Sequence, residues 1–144
     1  MLSVLKFTHL AAAIVWMGGM AFLLGALRPS LGALPPPQRL ELVALALRRF
    51  FAMVWVAIGV LAASGAALFL SAPGAPAGWR AMAAIGLVMF AVFAHLFFAP
   101  YRRLRRAVAA QDWPAAGAQM KTIPRLAMVN FVLGWIAIAA VHLA

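Results

Sequence analysis

Four apolar runs, Phe7–Leu27, Phe50–Leu70, Ala81–Ala99 and Leu126–Ala144, are separated by short segments that hold nearly all the charge. Crossing about 30 Å of hydrocarbon takes roughly 20 helical residues, so each run is long enough to span a bilayer. The pattern predicts one all-α transmembrane domain over residues 1–144, with helices over about 4–28, 37–71, 79–110 and 124–144. Pro35 to Pro37 stop one element before a helical pattern resumes, so the second membrane helix is expected to project beyond the bilayer. Asp112 before Trp113 and Pro114 has the form of a helix start, and a short separate helix is expected over about 113–121. Pro73, Gly74, Pro76 and Gly78 mark a tight loop between the second and third runs.

Composition fixes the class. Hydrophobic residues make up 67% of the chain and charged residues 10%, with a mean hydropathy of +1.03, which leaves too little polar surface for a soluble domain. Twelve basic residues stand against two acidic ones. They sit in blocks between apolar runs rather than on one globular face, so a nucleic-acid partner is not expected and the bilayer is. Arg28, Arg39, Arg48 and Arg49 flank the first connection; Arg102, Arg103, Arg105, Arg106, Lys121 and Arg125 fill the third. Because cytoplasmic connections retain lysine and arginine, the expected topology is N-out, C-out. The first run is too long for the apolar stretch of a signal peptide and no small-residue cleavage site follows it, so it is read as retained.

Three histidines carry the candidate chemistry. His9 lies just inside the outer end of the first run, and His142, 17 positions beyond Arg125, lies about 25 Å up the fourth. His95 falls toward the opposite side and cannot share a small site with them. Helical spacing sets His9, Ala13, Trp16 and Met20 on one stripe, and His142, Ile138, Trp135 and Phe131 on another. If both stripes face inward, two imidazoles overlie a chamber floored by Trp16 and Trp135, a geometry suited to haem with arginine or lysine at the rim. His95 reads first as a satisfied core histidine, with a proton-handling group or a second ligand as the alternatives. Interfacial histidines and an aromatic belt are the structural alternative for the outer pair.

With no cysteine in the chain, soft-metal ligation falls to histidine and methionine. Met17, Met20, Met53, Met82, Met89 and Met128 offer thioethers to Cu(I), although methionines in a bundle also fill gaps. Gly18, Gly19, Gly59, Ser64, Gly65 and Gly86 read as small residues for close helix approach, and Asn130 as an interhelical hydrogen-bonding group. No embedded acid or lysine, nucleophile–base pair or glycine-rich phosphate loop occurs, so hydrolysis and ATP-driven work are not expected, and no catalytic residue is assigned.

The stretch "HLAAAIVWMGGM", a histidine and then Trp-Met-Gly-Gly after six residues, resembles the first helix of the copper resistance protein D family. It is also similar to the related four-helix haem-pathway protoporphyrinogen oxidase HemJ. The likeness runs on through "RRFFAMVWVAIGVLAASG", "FAHLFFAPYRRLRRAVAAQDWPAAG" and "RLAMVNFVLGWIAIA". It implies a small protein of a bacterial inner membrane, haem b ligation by His9 on the HemJ side, and copper handling on the other. The lysine that the HemJ group uses in its third helix has no counterpart, since no lysine stands between Lys6 and Lys121. Two readings follow: a haem b protein of redox or electron-transfer function with His9 and His142 as ligands, or a copper-binding or copper-uptake protein using His9, His142 and methionines such as Met82. Four short helices enclose a transport pathway only as a homo-oligomer.

Overall fold

The computed structural model describes residues 1–143. Four helices, each long and apolar enough to cross a membrane, make up the fold: α1 (Leu2–Ala33), α2 (Pro36–Leu70), α3 (Ala77–Ala109) and α4 (Trp113–Leu143). Each runs about 50 Å, well beyond the hydrocarbon thickness, so the basic ends of α2, α3 and α4 project past the bilayer. The chain is a multi-pass membrane protein. No strand occurs among the described residues.

α1 pairs with α2 and α3 with α4, each as an antiparallel hairpin. Lipid tails are as apolar as leucine, so burial of apolar area does not drive helices together within a bilayer; close packing and hydrogen bonds must. Gly78 at the start of α3 lies directly against the backbone of Ala140 on α4, and a Cβ there would strike the Ala140 carbonyl oxygen. Asn130 on α4, 2% exposed, donates from Nδ2 to the Met89 carbonyl of α3 at 3.1 Å. Aromatic contacts join the two hairpins. Trp16 of α1 stacks on Phe90 at 5.9 Å and meets the edge of Phe93, both on α3. Phe51 of α2 presents its edge to Tyr101 of α3 at 4.8 Å.

Two helices contain a π turn, at Leu23–Leu27 in α1 and at Phe97–Tyr101 in α3. Each adjoins or contains a proline, Pro29 and Pro100 respectively, whose ring presses on the carbonyl four residues back and lacks the N–H for that bond. Widening the turn accommodates the ring without stopping the helix. The turn from α3 to α4 closes on Gln111 at φ +56°, with the Asp112 N–H donating to the Ala107 carbonyl at 2.9 Å. Asp112 then caps α4, accepting from the Ala115 N–H at 3.2 Å, as its position before Trp-Pro leads one to expect. The separate short helix expected over 113–121 is not formed. α4 runs unbroken from Trp113 through Pro124, which costs the helix one backbone hydrogen bond but does not end it.

Substitution Gly78→Ala is expected to lower stability by about 1–3 kcal/mol, since backbone rather than a mobile side chain must give way. Gly59→Ala, with no atom within 4 Å of the new methyl, should change it by less than about 0.5 kcal/mol. Asn130→Ala should cost about 0.6–1.7 kcal/mol. Reversible unfolding in mixed micelles measures all three.

Candidate functional site

His9 is the polar group around which a site can be built. It lies partly buried in the second turn of α1, facing α2, where Ser64 and Gly65 interrupt the apolar surface. Gly65 lets the ring approach: a Cβ there would sit 3.2 Å from His9 Cε1, tighter than ordinary contact. The imidazole Nδ1 is 2.9 Å from Ser64 Oγ. Ser64 is 4% exposed, and its single proton is donated to the Val60 carbonyl at 2.6 Å. The hydroxyl oxygen therefore accepts, and Nδ1 carries the hydrogen. The consequence is a defined tautomer with the lone pair on Nε2, the arrangement in which a histidine binds a metal while its other nitrogen is held by a neighbour.

The remaining candidates do not converge on His9. Trp16 is 3% exposed, packed among Phe90 and Phe93, and is core rather than the floor of an open chamber. Trp135 is 57% exposed and faces away from the bundle. His142 and His95 are likewise exposed, on α4 and α3. The expectation that the His142–Trp135 stripe points inward is thus overturned. The inward stripe of α4 is Ile123, Asn130, Gly134 and Ala137, because small residues and an amide allow the close approach that lipid-embedded helices need, while a bulky indole is accommodated at no cost by lipid. A chamber with Trp16 and Trp135 as its floor is not formed; at that level Met17 of α1 lies directly on Gly134 of α4.

That contact brings two thioethers together. Met17 and Met89 both approach the space in front of Gly134, Met17 from α1 and Met89 from α3. Met20 and Met89 are buried, at 2% and 6% exposure, whereas Met53 and Met128 face outward. No three histidine, cysteine or acidic side chains come together among the described residues, so a hard or divalent-metal cage has no donors here. The donors inside the bundle are one oriented imidazole and thioethers. In the sequence, Ser64 and Gly65 have the character of small packing residues only. Their signal was depth: a hydroxyl on α2 at the level of the histidine on its antiparallel neighbour.

Residues 44–144, most of α2 with all of α3 and α4, match the family described as copper resistance protein D. The chain belongs to that family. The match holds Ser64, Gly65, Met89, Asn130 and Gly134 but not α1, so His9 comes to the family's stretch across the α1–α2 contact. No curated protein and no solved structure matches the chain. This member of the copper resistance protein D family is accordingly a multi-pass membrane protein of the copper-resistance type.

Replacing Ser64 by alanine removes the acceptor that selects the Nδ1–H form. The ¹⁵N spectrum of His9-labelled protein is expected to show a mainly Nδ1-protonated ring in the wild type and a mixture of tautomers in Ser64→Ala.

Proposed function

We propose that the protein handles copper within a bacterial inner membrane, with Nε2 of His9 as the principal ligand and thioethers deeper in the bundle as the soft donors. The supporting observation is the His9–Ser64 bond, which commits Nδ1 and leaves Nε2 unprotonated in a helix pair of this family. Imidazole and thioether together suit Cu(I), and the absence of cysteine from the chain leaves these as its soft ligands. Met17 and Met89 stand two turns below His9, so a bound ion has a second set of donors toward the middle of the membrane. The basic ends of the helices are assigned to the cytoplasm by the positive-inside rule, which puts His9 at the outer end and both termini outside. On that orientation His9 meets the ion at the outer entrance. A path across the whole membrane requires further helices, from copies of this chain or from another protein.

Haem b fits these residues less well. It asks for a flat chamber and a second axial group; the structure offers His9 alone facing another helix, with His142 exposed and Trp135 turned out.

The test is metal and absorption analysis of protein purified from copper-supplemented, haem-replete cells. Copper is expected at about one per chain in the wild type and at background in His9→Ala, with Ser64→Ala weakening affinity about 10- to 100-fold. Wild-type protein without copper, or His9→Ala with an undiminished load, overturns the reading. A Soret band that His9→Ala abolishes would replace copper by haem.

A further inference from the structure

The aromatic contact between α2 and α3 continues to the protein surface as an arrangement that copper handling does not use. Tyr101 is 2% exposed, and its hydroxyl is buried without a hydrogen-bond partner among the described residues. An unpaired buried hydroxyl is costly, and a native structure rarely leaves one. Two cations stand in the same part of the α2–α3 boundary. The Arg105 guanidinium lies over the Tyr101 ring, 5.8 Å from its centroid. Arg48 stands one helical turn before Phe51, whose ring meets Tyr101 edge-on, and is itself exposed. Neither arginine has an acid to pair with. The chain's two acids are Glu41, about 10 Å along α2 from Arg48, and Asp112, which caps α4.

Position completes the picture. Arg48 lies two residues before the apolar run that begins at Phe50, and Tyr101 two residues after the run that ends at Ala99, so both sit at the same bilayer boundary. Deeper on the same two helices, two turns from Arg48 and one from Tyr101, Trp55 and Phe98 are exposed, at 38% and 56%, with ring centroids 6.1 Å apart. A cationic pair at phosphate level above an aromatic shelf at acyl level is complementary to an amphiphile with a negative head.

We propose that the α2–α3 boundary is a binding site for one anionic phospholipid: Arg48 and Arg105 hold the phosphate, the Tyr101 hydroxyl completes its hydrogen bonding after a small rotation, and the acyl chains lie on Trp55 and Phe98. A free anion satisfies only the upper half of this site and a neutral lipid only the lower half. The site is independent of His9 and of the metal.

Native mass spectrometry of the full chain, offered phosphatidylglycerol and phosphatidylcholine at equal concentration, tests it. The wild type is expected to retain phosphatidylglycerol selectively. Arg48→Gln and Arg105→Gln should each reduce that preference about fivefold, and Tyr101→Phe about two- to tenfold. Arg48→Lys and Arg105→Lys should keep most of it, and Lys121→Gln on α4 all of it, which separates loss of a site from loss of fold. Equal retention of the two lipids by the wild type, or a wild-type preference in the helical Arg48→Gln and Arg105→Gln proteins, overturns the proposal. So does displacement of the lipid by excess inorganic phosphate, which would mark a site for anions alone.

Discussion

A bilayer withdraws the force that assembles soluble bundles, and every contact in this molecule follows from that withdrawal. Helices that gain nothing by hiding leucine must instead come close, backbone to backbone at Gly78 against Ala140 and side chain to backbone where Met17 lies on Gly134. The Asn130 amide adds one directional bond to Met89 in surroundings where no water competes for it. Aromatic rings then fill the wider gaps between hairpins, from Trp16 across to Phe93, Phe51 and Tyr101. Small residues set the distances, and rings occupy what is left.

The same logic explains the chemistry available inside. A polar side chain in such a bundle finds its partners on its own helix or the next, and those partners fix its state. Ser64 shows this in sequence: its proton is taken by the Val60 carbonyl, so its oxygen is left to receive the hydrogen of His9, and the far nitrogen of the imidazole is left bare. Three groups on two helices determine where one lone pair resides. Copper fits that outcome because the remaining donors are thioethers and because the helices that hold them belong to a copper-resistance family.

Much of this was legible beforehand. Run length gave four spans, Asp112 marked a helix start although the helix it opens was expected to be short and separate, and an ionisable residue near the mouth of α1 singled out His9. What the apolar pattern left undetermined was which side of α4 faces inward, since a helix that is hydrophobic all round has no marked face. Intuition from soluble proteins turns the indole of Trp135 inward; in lipid it is the glycine beside it, Gly134, that goes in, and with the indole and His142 on the outside the supposed two-histidine chamber disappears. The continuity of α4 through Pro124 was hidden because a proline lowers the stability of a helix locally without fixing whether the packing on either side carries the helix through it.

The π turn at Phe97–Tyr101 acts as a phase shift on everything that follows it. One residue more than an α turn rotates the rest of the helix by about 100°. As built, Leu104 and Ala107 point inward and the four neighbouring arginines point out. Leucine and alanine are thus what this end of α3 sets against α4, and every arginine of the segment is left to water and the lipid headgroups.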